Sequence, residues 1–218
     1  MSKYLIVNAD DFGMSKKFNE AILELAEEGM LSSTTVLVDW IKDDQKDQIE
    51  KLKELAKNKK LTIGFHLEFS KDDYEAEIES QFEKFKSIFG MPSHVDIHKA
   101  HSRTGSFPFV AEFCRKYGFP LRNSGEIFDG IKTTSNEALF CSAHSFSEIE
   151  NWVKTFKEGE CYEAMFHPGK YDSNSKSSLN KEREIDVENV RKLNLILEEN
   201  EIEKVSWSDL LWLKLEKG

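Results

Sequence analysis

The chain has few of the features that mark disulfide-stabilised, secreted or membrane proteins. Its 3 cysteines are Cys114, Cys141 and Cys161, and an odd number without close pairing is typical of reduced, mostly buried thiols rather than a disulfide framework or a zinc knuckle. No stretch approaches the ~20 apolar residues of a membrane span. The first apolar run is too brief for a signal peptide. We therefore expect a soluble, cytoplasmic protein.

The sequence also lacks an excess of positive charge and a segment that would divide it into domains. With 30 Lys and Arg against 40 Asp and Glu, the formal net charge is -10. This balance argues against nucleic-acid or anionic-membrane partners, because both require a basic surface. The 4 prolines and 11 glycines form no stretch that separates two halves of the 218 residues. A chain of this length can bury one sizeable core, so we expect a single domain over residues 1–218.

Short apolar runs alternate with longer stretches of helical period along the whole chain, a pattern that predicts strand–helix units around a parallel sheet. The candidate strands are Tyr4–Asn8, Thr34–Val38, Leu61–Gly64, Val95–His98, Phe119–Arg122, Ala138–Cys141, Tyr162–Phe166 and Lys204–Ser206. This is about the number that an eight-stranded barrel needs. The predicted fold class is α/β, a TIM-barrel-like (β/α) barrel. Either the barrel is complete, or one of its units is missing or distorted.

Helix ends are recognisable at several points of this pattern. Ser15 is the expected N-cap of a first helix that Gly29 closes in a left-handed conformation. Ser147 and Glu150 have the spacing of a capping box before a later helix.

The most informative segment is Tyr4–Gly13, an apolar run that ends in two adjacent acids, Asp10 and Asp11. Neighbouring carboxylates repel each other, and at the mouth of a core they also lose hydration. A metal ion or a protonated partner would compensate them. An Asp-Asp pair alone is often a turn or capping device, so the interpretation depends on the residues that accompany it.

Those residues follow other predicted strands. His66 comes after Leu61–Gly64, Asp96 and His98 lie in the segment Val95–His98, and His167 follows Tyr162–Phe166. Because the carboxyl ends of parallel strands form one rim, side chains that are distant in sequence are expected to converge there. The rim is where such folds build their active sites.

An aspartate and two imidazoles form a suitable ligand set for zinc or another divalent first-row metal, with open positions for water and substrate. A bound ion lowers the pKa of its water, and a free carboxylate beside it can take the proton. One of Asp10 and Asp11 would bind the metal and the other would act as base. The residues alone leave open which does which.

The cluster from Asp96 to His101 offers further candidates. His98 and His101 are two imidazoles in close succession, and Asp96 is either an acid that orients one of them or an ordinary turn residue. Arg122 ends the predicted strand Phe119–Arg122. It is expected either to orient Asp10 or a hydroxyl group of the substrate, or to serve as a structural or surface arginine.

Five segments in order resemble the YdjC/ChbG-like carbohydrate deacetylases. They are Val7-Asn-Ala-Asp-Asp-Phe-Gly-Met-Ser15, Gly29-Met-Leu-Ser-Ser-Thr-Thr35, Gly64-Phe-His-Leu67, His94-Val-Asp-Ile-His98 and His167-Pro-Gly169. The first segment is specific, whereas the His-Pro-Gly and Ser-Thr-Thr pieces are weak on their own. Together the segments span most of the chain.

This resemblance implies a TIM-barrel-like domain and a hydrolase that removes acetyl groups from N-acetylated sugars such as chitooligosaccharides. It implies that Asp11, His66 and His98 bind one divalent ion, that Asp10 is the catalytic base and that His167 is the general acid. Magnesium or zinc is expected first, with cobalt, nickel or manganese as alternatives. Family members often self-associate, so a homodimer is also an expectation.

Two departures from the family pattern concern the substrate site. The segment after His66 leads almost directly into a charged helix, where relatives usually carry a longer loop, and Lys99–Ser102 interrupts an alternation of histidines. Two other functions therefore stand beside sugar deacetylation. One is hydrolysis of a different N-acyl substrate, and the other is a non-catalytic homologue that binds sugar or metal.

Overall fold

The structure is a computed structural model that describes residues 2–70 and 73–213. Its strands are β1 (Lys3–Phe12), β2 (Ser33–Val36), β3 (Thr62–Leu67), β4 (Val95–Ile97), β5 (Leu139–Phe140), β6 (Cys161–Phe166) and β7 (Ile202–Lys204). Its α-helices are α1 (Lys16–Glu27), α2 (Lys46–Lys57), α3 (Tyr74–Phe89), α4 (Phe107–Tyr117), α5 (Phe146–Val153), α6 (Arg183–Leu197) and α7 (Trp207–Leu210). Strands and helices alternate along nearly the whole described chain.

The strands form one parallel sheet with the order β4-β3-β2-β1-β6-β5, and β7 pairs with β1 outside this path. The centre of the sheet is β1, which pairs with β6 along one edge. Its other edge pairs first with β7, from Lys3 to Leu5, and then with β2, from Asn8 to Phe12. Because all the strand pairs are parallel, the carboxyl ends of the strands lie at the same end of the sheet.

Both faces of β1 are buried, as expected for a parallel strand covered on both sides. Leu5, Val7 and Ala9 belong to the main hydrophobic cluster that the helices cover. Ile6 belongs to a second, smaller cluster around Trp207. This double burial explains why residues 5–7 are apolar without alternation, and the polar side chain of Asn8 that follows them is buried as well.

The fold is a parallel α/β half-barrel, and the described residues do not complete a regular eight-stranded barrel. The expected strand Phe119–Arg122 is wrong as a strand, because it contributes only a single bridge between Leu121 and Val95. On the side away from Val95, the backbone N–H of Leu121 donates to the carbonyl oxygen of Lys132, which lies in a loop. Between α4 and β5 the described chain contains no helix. The irregularity of the sheet lies in this part.

Two helix ends agree with the sequence and one does not. Ser15 caps α1 by accepting from Lys17 N, and Gly29 has a left-handed φ of 72°. The expected box of Ser147 with Glu150 is wrong, because α5 begins two residues earlier in the chain. Its capping box joins Ser145 and Glu148 instead.

The remaining expectations about the chain concern thiols, membrane spans and the segment after His66. All 3 cysteines are buried and free. No helix of the described residues is both long and apolar enough to cross a bilayer. The segment after His66 leads into α3, whose N-cap is Asp73. Its residues 71 and 72 lie outside the described part.

Candidate active site

The end of β1 turns two consecutive carboxylates toward one cleft. In a regular strand, neighbouring side chains point to opposite faces. The pairing of β1 with β2 is irregular between Ala9 and Phe12, and Asp11 adopts a φ of 73°. Such a bulge redirects side chains. Asp10 and Asp11 are therefore both 1% exposed and both line the cleft. The left-handed backbone of Asp11 is a local strain of the kind that concentrates at functional sites.

Asp11 meets two histidines from β3 and from the end of β4. Its Oδ1 lies 3.4 Å from Nε2 of His66 and 3.2 Å from Nδ1 of His98. These two ring nitrogens are 3.2 Å apart. All three donor atoms lie within 4.8 Å of one another. Asp11 Oδ1 is buried without a hydrogen-bond partner among the described residues. A buried acceptor of this kind requires a partner, and a divalent ion bound by one carboxylate and two imidazoles fits the site.

In His66 and Asp11, the polar atom that points away from the three donor atoms also has a partner. His66 Nδ1 lies 2.5 Å from Oδ1 of Asp96, and Asp11 Oδ2 accepts from Arg183 Nη2 over 2.6 Å. Carboxylates that bond the far nitrogen of a ligating histidine fix the orientation of its ring. Asp96 thus contacts His66 rather than forming a simple turn. Arg183, the first residue of α6, carried no signal in the sequence.

Asp10 is bound on both oxygens by Arg122. Nη1 and Nη2 of Arg122 donate to Oδ2 and Oδ1 of Asp10 over 2.8 and 2.9 Å. The same guanidinium donates through Nε to Oε1 of Glu163 over 3.0 Å and also contacts Asp96. Arg122 therefore holds three buried carboxyl groups. Glu163, in the middle of β6, was missed by sequence reasoning, although an acid within the apolar run Cys161–Phe166 was a signal.

The charges of this buried cluster do not balance within the protein. The cluster contains two guanidinium groups and four carboxyl groups. The guanidinium groups belong to Arg122 and Arg183, and the carboxyl groups belong to Asp10, Asp11, Asp96 and Glu163. Burying unpaired charges is costly, so a divalent ion would complete the balance. Without it, protons compensate. Burial opposes the charged ring of His66, but Asp96 and Asp10 outweigh it and raise the pKa of His66 to about 10.

The other acids of the cluster respond to the same forces. Burial raises the pKa of Glu163 to about 7, although Arg122 opposes the shift. Burial would also raise the pKa of Asp10, but Arg122 and His66 outweigh it and hold that pKa well below its ordinary value. Burial would raise the pKa of Asp11 too, but the nearby imidazoles of His66 and His98 outweigh it and hold that pKa well below its ordinary value.

His167 faces Asp10 across the cleft. Its Nε2 lies 3.9 Å from Asp10 Oδ2. On the other side of the ring, Nδ1 lies 3.0 Å from Oγ of Ser142, which in turn donates to Oδ2 of Asp186 over 2.5 Å. Burial lowers the pKa of His167, against the opposing effects of Asp11 and Asp10. Ser142 and Asp186 belong to no sequence motif that would have indicated them.

The cleft above these groups has a volume of about 1370 Å³. Three Phe and Trp side chains line it: the buried Phe107, Trp40 at 40% exposure and Phe140 at 37% exposure. Phe140 also packs edge-on against His167, with the ring centroids 5.2 Å apart. His101 lines the exposed rim and is not one of the three clustered metal donors. The structure thus brings together all the predicted site residues except His101.

Curated relatives and solved structures resemble the chain over most of its length. A carbohydrate deacetylase of Clostridium beijerinckii is 29% identical over 251 residues, which cover 94% of this chain and 99% of the relative. A chitooligosaccharide deacetylase of Yersinia pestis is 30% identical over 156 residues, covering 56% of this chain and 60% of that protein. The alignment therefore spans less than two thirds of the Yersinia protein.

Two solved structures share the fold at low sequence identity. A proposed cellobiose-phosphate cleavage protein of Enterococcus faecalis has a TM-score of 0.79 and 22% identity, covering 96% of this chain and 99% of its own. A chitin deacetylase of the fungus Colletotrichum lindemuthianum has a TM-score of 0.59 and 11% identity, covering 96% and 88%. The sequence model described as YdjC-like protein matches residues 4–73 and 47–199. The chain therefore belongs to the YdjC-like protein family.

Proposed function

We propose that the protein is a metal-dependent hydrolase that removes acetyl groups from N-acetylated sugars of the chitooligosaccharide kind. The observation that carries this proposal is the arrangement around β1. Three clustered metal donors on Asp11, His66 and His98 lie beside the carboxylate of Asp10. His167 faces that carboxylate from the other side. The curated relatives named as carbohydrate and chitooligosaccharide deacetylases support the choice of substrate.

The ion would be held by Asp11 Oδ1, His66 Nε2 and His98 Nδ1. When bound, a divalent ion polarises a carbonyl oxygen and lowers the pKa of a water molecule. From the sequence, magnesium and zinc are the first candidates, followed by cobalt, nickel and manganese, and the ligand set now distinguishes among them. Two imidazoles among three donors favour a first-row transition metal or zinc over magnesium, which prefers oxygen ligands.

Asp10 would act as the base. Arg122 keeps Asp10 ionised at neutral pH and holds the plane of its carboxylate. A fixed, ionised carboxylate can accept the proton of an attacking water molecule without first reorienting. A strongly lowered pKa makes Asp10 a weak base in isolation. Its contribution therefore depends on a water whose own acidity is raised.

His167 would act as the acid. An amine is a poor leaving group unless it is protonated, and Nε2 of His167 is the nitrogen that faces the cleft. The imidazole and the carboxylate of Asp10 are 3.9 Å apart. Both groups therefore lie at the same point of the cleft, where one can remove a proton and the other can donate one.

The cleft suits a sugar. Its volume of about 1370 Å³ exceeds the usual range for pockets that hold one small ligand. Trp40 and Phe140 offer aromatic surface for the apolar faces of pyranose rings, and serine and asparagine side chains of the cleft offer partners for hydroxyl groups. We further propose that the half-barrel is a TIM barrel distorted between α4 and β5, and that residues 1–218 form one catalytic domain.

The test is acetate release from a panel of N-acetylated mono- and oligosaccharides by metal-stripped protein. Zinc, magnesium, cobalt, nickel or manganese is added back separately. We expect release that requires an added ion and that Asp10→Asn abolishes. Release of a different acid from other N-acyl compounds would replace the substrate. Metal binding without any hydrolysis would indicate a non-catalytic homologue and contradict the proposal.

A further inference from the structure

Ser142 joins three segments of the chain behind the imidazole of His167. It lies in the short 3₁₀ turn Cys141–Ala143 that follows β5. Its Oγ is 3.0 Å from Nδ1 of His167 and 2.5 Å from Oδ2 of Asp186. Asp186 comes from α6, is only 2% exposed, and accepts the backbone N–H of His167 on the same Oδ2 over 2.8 Å. The hydroxyl is therefore placed between an acid and an imidazole.

The hydrogen atoms in this chain of contacts can be assigned. Oδ2 of Asp186 accepts the backbone N–H of His167, so it is an acceptor for Ser142 as well. A hydroxyl has one hydrogen, and Ser142 donates it to Asp186. The oxygen of Ser142 must then accept from Nδ1–H of His167. This assignment fixes the tautomer of the ring, and it leaves Nε2 as the nitrogen that gains and loses a proton.

We propose that Ser142 is a positioning residue that relays the charge of Asp186 to His167 and holds Nε2 toward the cleft. The inference rests on the proposed function, in which Nε2–H of His167 protonates the departing amine. In that step the Nε2–H bond breaks and an N–H bond forms on the amine. The Nδ1–H bond to Ser142 persists before and after the transfer. The relay therefore supports both charge states of the ring.

The groups that face His167 come from several elements. Asp10 and Asp11 from β1 and Asp186 from α6 favour the protonated ring, whereas burial and Arg183 oppose it. The edge contact with Phe140 from β5 adds no charge. Ser142 is the group within hydrogen-bond distance of Nδ1. Its loss would leave a buried N–H of an imidazolium without an acceptor, which is costly.

The first test reads the ring directly and needs no substrate. Long-range ¹H–¹⁵N spectra of the zinc-loaded protein distinguish the two tautomers, and His167→Gln assigns the signal among the 6 histidines. In the wild type we expect the neutral ring to carry its proton on Nδ1. In Ser142→Ala we expect a mixture of tautomers and a titration midpoint lower by about one pH unit, because a hydrogen bond to a charged group is lost.

Two variants make the test specific. Ser142→Thr keeps the hydroxyl and should restore the wild-type tautomer and midpoint. Ser145→Ala removes a hydroxyl three residues later, one that binds Glu148 instead, and should change neither. If acetate release is observed, the alkaline limb of the kcat/KM profile should move to lower pH in Ser142→Ala only. A merely structural role would leave that limb in place.

The relay and the deacetylase can fail separately. A wild-type neutral ring protonated on Nε2 would overturn the relay, even if Ser142→Ala failed to fold. An unchanged tautomer and midpoint in folded Ser142→Ala would also overturn it. Absence of acetate release from the wild type, with the expected tautomer present, would instead contradict the proposed function and leave the relay standing.

Discussion

Asp10 and Asp11 are consecutive in sequence, yet each is held by a different arginine. Asp10 receives two hydrogen bonds from Arg122, whereas Asp11 receives one on Oδ2 from Arg183. The second oxygen of Asp11 is left facing His66 and His98. The two carboxylates therefore have different chemical capacities. Asp11 can complete a metal site through its free oxygen, whereas Asp10 is saturated by protein donors and stands beside that site.

This difference predicts that Asp10→Asn retains the metal and loses turnover. The amide keeps the shape of the side chain but cannot accept a proton, so we expect kcat to fall by about 10²–10⁴-fold, the usual contribution of a positioned base. Metal content is measured in parallel and should stay stoichiometric. The control is Asp44→Asn, since Asp44 is an exposed carboxylate at the edge of the same cleft. Full turnover in Asp10→Asn would show that the base is another group.

Metal binding should depend steeply on pH. In the metal-free protein the pKa of His66 is raised to about 10, so the ring is protonated at neutral pH and must lose that proton to bind an ion. The metal affinity should then rise about tenfold per pH unit below pH 10, because one proton is displaced. Calorimetry in buffers of different ionisation enthalpy would measure the released proton. His66→Ala should lose the ion, whereas His101→Ala at the exposed rim should keep it.

The same shift affects the stability of the metal-free protein. The pKa of His66 is raised in the folded state from an ordinary 6.5 to about 10. Protonated His66 therefore stabilises the fold fully below pH 6.5, and this contribution is lost as the pH rises toward 10. Urea unfolding of the metal-stripped protein should show falling stability over that interval. A flat profile there would show that His66 is not charged in the metal-free state.

Arg122 should be the most important single charge for folding. It forms ion pairs with three buried carboxyl groups, and its removal leaves them without this partner. We expect Arg122→Met to lower the free energy of unfolding by about 3–5 kcal/mol, measured by urea denaturation. The matched control is Arg115→Met, because Arg115 is exposed and its guanidinium donates to the backbone carbonyl of Asp129. Equal losses in the two variants would mean that the network contributes little.

The sequence was sufficient to predict which side chains gather near the carboxyl ends of the strands, but neither the exact strand ends nor the contacts between the side chains. Acids and imidazoles after apolar runs can be recognised because parallel strands share one rim. The bulge at Asp11 could not be predicted from the sequence, because it depends on how β1 pairs with β2. Arg183 contacts Asp11 across 172 positions of the chain. No local pattern encodes a contact over that separation.

The same limit applies to the residues behind His167 and to the barrel itself. Ser142 and Asp186 are ordinary polar residues in sequence, and their contacts with His167 arise only because α6 and the turn after β5 approach the residue that follows β6. The segment Phe119–Arg122 has strand-like composition, yet only Leu121 forms a bridge. Its neighbour on the other side is a loop rather than a strand. Tertiary pairing decided the outcome there, as it often does for short strands.

Gly64→Ala should destabilise the fold and weaken metal binding together. A Cβ at this position would lie 2.2 Å from Cε1 of His94. That ring is fully buried and stacks on Trp207 with the centroids 4.4 Å apart, so it has little room to move. Overpacking of this kind costs about 1–3 kcal/mol or more. Because β3 also carries His66, a shifted strand would move a metal donor. Urea unfolding and metal titration measure the two effects.

The matched control for this last prediction is Gly105→Ala. Its Cβ would approach only the hydroxyl end of Tyr74, at 3.3 Å, and a side-chain end can move aside. Its stability and its metal affinity should stay close to the wild-type values. If Gly64→Ala lost stability but kept full metal affinity, the strain would be absorbed around His94 and Trp207 without reaching His66. If both quantities were unchanged, the packing of His94 against β3 would be looser than the structure requires.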